Sequence, residues 1–157
     1  MPAQKLREFL DASGVRYTAF GHRPAVTAQE IAAAAHVPGR EMAKTVIVRI
    51  DDELAMLVLP APAMVDFGAL QAAIDAETVE LADEREFRNR FPECEVGAMP
   101  PFGNLFGMRT LVAESLADDD EIVFNAGSHA ELIRMAFREY ERLVRPERVD
   151  FVVLATP

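Results

Sequence analysis

Two lysines stand among the sixteen basic residues of this chain, and the other fourteen are arginine. Lys5 falls in an amphipathic N-terminal segment, where a solvated charge needs no special role. Lys44 directly precedes Thr45-Val-Ile-Val-Arg-Ile50, at the lip of an apolar strand. The period-two alternation of a strand puts it on one face with Val46, Val48 and Ile50. A lysine in that position either snorkels to solvent or presents a compact cation to a cleft. In a cleft it can hold a phosphate or polarise an ester carbonyl.

Two glycine-bearing segments are the next candidates. In Gly97-Ala-Met-Pro-Pro-Phe-Gly-Asn-Leu-Phe-Gly107, the glycines allow close approach of backbone to a ligand, while Pro100-Pro101 keep the loop stiff. Preorganised N–H groups there would suit an oxyanion or carboxyl group. The competing reading is a rigid connector that packs Phe102 and Phe106 into the core. Asn125-Ala-Gly-Ser-His129 is a small-residue turn ending in histidine, equally able to hold an anion on backbone N–H groups or to close a hairpin. His22, in His22-Arg-Pro-Ala25, reads as a strand-end histidine.

Other chemistries are excluded by what is missing from the sequence. There is no phosphate-binding P-loop, no dinucleotide fingerprint, no His-Glu-x-x-His and no Gly-x-Ser-x-Gly elbow. The three histidines lie far apart, so no metal and no cofactor is expected. Cys94 is flanked by Glu93 and Glu95, which disfavours a thiolate nucleophile. One cysteine cannot close an internal disulfide, which suits a reducing cytoplasm. The N-terminal segment lacks the apolar stretch of a signal peptide, and the run from Leu54 to Val65, interrupted by Pro60 and Pro62, is too short to span a membrane.

The elements that must position these residues are legible from periodicity and breakers. A helix is expected over 2–13, closed by Gly14, and a strand over 15–20. Thr27-Ala-Gln-Glu30 forms a capping box ahead of an alanine-rich helix. Strands 45–50 and 54–59 flank the polar turn 51–53 as a hairpin. A helix capped by Asp66, a strand over 78–81 and a helix opened by Asp83 follow. Residues 92–108, with three prolines and three glycines, cannot be regular for long. Strands are expected at 109–114 and 121–124. The stretch 130–145 reads either as one helix behind a Ser128–Glu131 capping box or, in the preferred reading, as a strand over 132–137 and a helix over 138–143. A short apolar strand is expected over 151–154. The 157 residues make one domain, an α+β fold with a mixed, mostly antiparallel sheet flanked by helices.

Net charge is −10, yet residues 1–50 carry seven basic side chains against four acids. The total argues against a protein that coats DNA or any long nucleic acid. It allows a pocket that takes only an end, with Arg23, Arg40 and Lys44 as the nearest cations in sequence.

The order of these pieces resembles the YbaK/ProX family of trans-acting aminoacyl-tRNA deacylases, similar to the editing domain of bacterial prolyl-tRNA synthetase. His-x-Pro-Ala with Thr27–Glu30, Ala43-Lys44-Thr45 opening a strand, the Gly97…Pro-Pro-Phe-Gly103 loop and Phe124-Asn-Ala-Gly-Ser128 carry it, across roughly residues 5–145. The resemblance implies a pocket between the lysine strand and the glycine loop. It makes Lys44 the essential lysine, and Gly97, Pro100 and Gly103 part of the loop facing the aminoacyl group. Asn125, Gly127, Ser128 and His129 would line the same pocket, with His22 or His129 meeting the amine. Asn125 stands where serine is frequent, and His129 where many members have arginine. The implied activity is hydrolysis of the ester of mischarged tRNA bearing a small amino acid such as Ala, Ser or Cys. The implied partner is the acceptor end of aminoacyl-tRNA, alone or on a synthetase. The alternative is a non-catalytic module of the same fold that binds tRNA or a synthetase.

Overall fold

A computed structural model describes residues 4–21 and 38–154. The expected His22 site and the Thr27–Glu30 capping box with its helix lie outside the described residues.

The strongest local signal, the hairpin, sets the frame. β2 (Ala43–Ile50) and β3 (Glu53–Pro60) pair antiparallel with Ile50 opposite Glu53. The loop is therefore two residues, Asp51 and Asp52, both with positive φ (47° and 70°). Right-handed strand twist demands that conformation, and aspartate tolerates it better than most side chains. Asp51 gains a second role, because its Oδ1 accepts from the backbone N–H groups of Glu77 and Thr78. That contact steers the chain into β5 (Val79–Leu81), which pairs with β2.

Around this hairpin a five-stranded sheet forms in the order β5-β2-β3-β6-β9, with β6 spanning Arg109–Ala113 and β9 Glu147–Val149. The β3–β6 and β6–β9 pairs are parallel, and the rest of this sheet is antiparallel. A three-stranded antiparallel sheet has the order β1-β8-β7, from Tyr17–Gly21, Glu131–Ala136 and Glu121–Asn125. The two sheets meet at one parallel bridge between Met42 and Val123, where the Val123 N–H donates to Glu41 O at 2.9 Å. β4 (Ala63–Val65) and β10 (Val152–Leu154) make a separate ribbon. The strands at 63–65 and 147–149 and the short helix α4 (Glu114–Ala117) carry too few residues for a periodicity to announce them. Among the described residues, no helix is long and apolar enough to cross a membrane.

Alternation along β2, β3 and β6 sorts the apolar residues into two cores. Ala43, Ile47, Met56, Val58 and Val112 face the first, with α1 (Gln4–Ser13) supplying Leu6 and Leu10. Val48, Ile50, Leu57, Leu59 and Leu111 face the second, covered by Leu70 of α2 (Phe67–Ala73) and by Phe151. Asp66 caps α2 by accepting from Ala69 N–H, as its position before the apolar run predicts.

The irregular stretch 92–108 is held from inside. Phe102 is fully buried in the first core, edge-on to Phe9 and Tyr140 with ring centroids 6.2 and 5.3 Å away. Tyr140 lies on α5 (Phe137–Val144) and is itself fully buried, and its hydroxyl donates to Pro101 O at 2.7 Å. α5 begins one residue ahead of the expected helix and β8 ends one residue early, because Phe137 turns inward as the first helical residue. Gly103 is buried, and a Cβ on it would sit 2.0 Å from Thr110 Oγ1 and 2.7 Å from Met108 O. Its neighbours are the side chain and backbone of its own fold, so Gly103 is required by packing. Gly103→Val is therefore expected to destabilise the chain by about 3 kcal/mol or more. Urea unfolding measures this, and an unchanged midpoint would mean the loop does not pack on β6.

Candidate functional site

Lys44 is half-buried at the start of β2, on the Val46–Val48–Ile50 face expected from alternation. Among the described residues, no carboxylate lies within ion-pair distance of it. Burial strips water from the ammonium and lowers its pKa below the usual 10.5.

The parallel bridge decides what stands next to it. Met42 and Val123 are in register, so Lys44 and Asn125 each follow two residues on, along neighbouring strands and on matching sides. Asn125 is only 6% exposed, and its Oδ1 is buried without a hydrogen-bond partner among the described residues. A buried carbonyl oxygen left unpaired costs on the order of 1–3 kcal/mol. It is an acceptor waiting for a donor.

The two glycine segments, remote in sequence, are sewn together at the end of β7. Glu95 N–H donates to Gly127 O at 2.8 Å, and Gly127 N–H donates to Ala98 O at 3.0 Å. Gly127 reaches this geometry at φ 94°, which favours glycine. Ser128 is buried, and its Oγ accepts from Ala130 N–H, tightening the turn. His129 N–H donates to Glu95 Oε1 at 3.2 Å. The His129 ring nitrogen Nε2 lies 2.8 Å from Val96 O. A carbonyl can only accept, so Nε2 carries a proton and donates it, and in the neutral imidazole Nδ1 is then the acceptor. That Nδ1 is buried and has no partner. Gly97, exposed at φ 85°, lies against the imidazole, since a Cβ there would be 3.3 Å from His129 Cε1.

The structure thus brings Gly97, Gly127, Ser128 and His129 into one unit, and Lys44 and Asn125 each lie two residues past the Met42–Val123 bridge that joins their strands. It splits the glycine loop. The Gly97 end joins this unit, while Phe102 and Gly103 belong to the first core. Pro100 is buried and lines a concavity of about 660 Å3, whose walls include Lys5, Arg90 and Phe106 but not Lys44 or His129. Glu95 was missed in the sequence because its role is a contact across 34 residues with no local pattern.

Cys94 is half-buried, and burial with help from Glu93 pushes its thiol up to about 11. At pH 8 about one molecule in a thousand carries the thiolate. Among the described residues, no group of three or more potential ligand side chains could hold a metal ion.

With this geometry in view, comparison with known proteins is informative. Residues 22–143 match the model of the aminoacyl-tRNA editing domain. A curated Escherichia coli K12 protein, the multifunctional Ser/Thr-tRNA deacylase ProXp-y, is 32% identical over 98 residues, which cover 61% of this chain. The same alignment spans only 58% of that relative's length. Among solved structures, the hypothetical protein APE2540 superposes with a TM-score of 0.85 at 21% identity, covering 96% of this chain and all of that one. A structure described as a candidate trans-editing enzyme for prolyl-tRNA synthetase superposes at 0.79 with 19% identity, covering 95% of each chain. At those identities the superpositions establish the shared fold.

Two outcomes follow from the electrostatics. NMR titration of the Lys44 side chain is expected to give a midpoint below 10.5; a value at or above it would mean the ammonium is fully solvated. Cys94 is expected to react with a thiol reagent at pH 8 far more slowly in the native chain than in the unfolded one. Equal rates would place the thiol in solvent.

Proposed function

This chain belongs to the aminoacyl-tRNA editing domain family, and on that premise we propose that it hydrolyses the ester of mischarged tRNA, acting in trans on a small amino acid. The observation that supports the proposal is the bridge at Met42–Val123, two residues ahead of half-buried Lys44 on one strand and of the buried carbonyl of Asn125, without a partner among the described residues, on the other. An aminoacyl ester is already activated, so hydrolysis needs a placed water and charge stabilisation more than a strong protein nucleophile. Lys44 meets the ester carbonyl or the terminal phosphate, where a desolvated cation acts most strongly on developing negative charge. Water oxygen bonds to the carbonyl carbon, the bond to the ribose oxygen breaks, and the proton passes to that leaving oxygen. Asn125 Oδ1 and His129 Nδ1 are acceptors, and the substrate brings matching donors in its ammonium and ribose hydroxyls. The exposed backbone at Gly97, with the Gly127–Ser128 turn behind it, clamps the aminoacyl group. His22 remains a second candidate for the amine.

The substrate class joins small residues: Ala, Ser and Cys from the resemblance, with Ser and Thr named for the Escherichia coli relative. A panel of tRNAs charged with Ala, Ser, Thr and Cys tests it. Multiple turnover on at least one supports an enzyme, whereas protection of a single equivalent supports the binding module. We further propose that the chain works in the cytoplasm on the acceptor end, free or docked on a synthetase.

Lys44→Met separates function from folding. Because burial lowers the pKa of Lys44, its charged form is penalised in the fold at neutral pH. The penalty fades as pH rises past the folded pKa toward 10.5. Removing the charge is therefore expected to leave stability at pH 7 unchanged or raised. Deacylation is expected to fall by on the order of a hundredfold or more. Full activity in Lys44→Met would overturn the mechanism.

A further inference from the structure

The unit around Gly97 and His129 is one end of a longer feature. Behind it lies a concavity of about 320 Å3 bounded by Arg88, Phe91, Pro92, Cys94, Val96 and Met99. Pro92 and Cys94 also wall the 660 Å3 concavity, together with Lys5, Arg90 and Phe106. The two share a wall and form one trough. Val96 closes its near end, and Val96 O is the acceptor that orients His129.

Three cations without an ion-pair partner among the described residues line the trough. Arg7, Arg40, Arg49, Arg109, Arg142 and Arg148 are all held in ion pairs. Lys5, Arg88 and Arg90 are exposed and have no ion-pair partner among the described residues. Lys5 spends one of its three donors on Leu105 O at 2.7 Å, and Arg90 reaches Gly107 O at 3.3 Å through one nitrogen. Both retain free donors. By sequence the stretch 83–95 is net acidic, but three of its five acids are turned to internal work. Asp83 caps α3 (Glu84–Phe87), Glu86 takes Asp83 N–H and Arg49, and Glu95 takes His129 N–H. Glu93 is the acid that still lines the trough without a partner, while Glu8 there accepts from Gln4.

We propose that this trough binds the single-stranded 3′ end of tRNA. Backbone phosphates lie on Arg88, Arg90 and Lys5, and bases lie against the apolar wall of Pro92, Leu105 and Phe106. Alternating cations and apolar or aromatic surface is the arrangement that single strands require, and it ends at the residue that fixes His129. The inference rests on the deacylase reading for its choice of nucleic acid, and names the path by which that substrate arrives. It replaces Arg40, which is engaged by Asp119 at 3.6 Å, and Arg23, which lies outside the described residues.

Binding of deacylated tRNA, followed by fluorescence anisotropy across salt concentrations, is the test. Three single-strand phosphate contacts predict a slope of about −2 for log K against log salt. The double variant Arg88→Glu/Arg90→Glu is expected to bind roughly tenfold more weakly or worse, with the slope reduced by about 1.4. Glu93→Gln is expected to bind more tightly than the native chain. Arg16→Glu, one charge reversal against the two of the double variant, on the exposed segment after α1, is expected to stay within about twofold of native affinity. A tRNA stripped of its single-stranded 3′ nucleotides is expected to bind the native chain as weakly as the double variant binds whole tRNA. Native affinity in the double variant, equal losses in Arg16→Glu, or undiminished binding of the stripped tRNA would each overturn the proposal. Hydrolysis is scored separately: the expected binding pattern without ester cleavage upholds the trough and overturns the deacylase reading.

Discussion

A single buried hydrogen bond, from the Tyr140 hydroxyl to Pro101 O, holds the part of the chain least able to hold itself. Residues 92–102 lack the ladder bonds that satisfy backbone elsewhere, and Pro100 and Pro101 remove two donors outright. Such a segment is normally mobile and variable. Here it is clamped at Pro101 by α5 and filled from beneath by Phe102, which touches Phe9, Phe124 and Tyr140. Lys5 and Arg90 add donors to the carbonyls of Leu105 and Gly107. Once that end is fixed, the Glu95–Ala98 end has only one place to go, the turn at Gly127. The candidate site is therefore built on loops, yet positioned by a helix and a core.

The same construction explains why the site carries unmet demands while the core does not. Aromatic packing around Phe102 is satisfied on every side. At the site, by contrast, Lys44 is partly dehydrated without a carboxylate among the described residues, and Asn125 Oδ1 and His129 Nδ1 are buried acceptors with no donor. Each lowers stability, and a fold of marginal net stability retains few such groups without use for them. One donor-rich and two acceptor-rich positions around a single end of β2 and β7 match a substrate carrying a carbonyl, an ammonium and ribose hydroxyls.

Much of this was legible in order along the chain. Lys44, its face, the hairpin and the Asp66 and Asp83 caps follow from alternation and capping, which act over a few residues. The parallel pairing of β3 with β6 does not, because its partners lie more than fifty residues apart and nothing in either strand specifies the other. Gly97 and Gly103 look alike in sequence, but one has φ 85° and lies exposed against the His129 ring while the other is pinned under Thr110. Only three-dimensional neighbours distinguish a glycine needed for conformation from one needed for space. Glu95 is the converse case: an unremarkable acid whose importance is a bond to a residue in another loop.

Net charge misleads for a related reason. A chain of charge −10 seems a poor host for a polyanion, and counting by segment makes 83–95 look worse still. What a ligand meets, however, is the charge left after the fold has used its share. Helix capping, the Arg49–Glu86 ion pair and the His129 backbone contact consume carboxylates of that segment, whereas Arg88 and Arg90 have no ion-pair partner among the described residues. At physiological salt, fields decay over about 8 Å, so acids on distant faces matter less to an approaching phosphate than two arginines beside it. The distant acids still act at long range, where they discourage long duplexes from settling on the surface. An acidic body with a short cationic trough selects for an end over a length, which is the discrimination a chain acting on the terminus of tRNA requires.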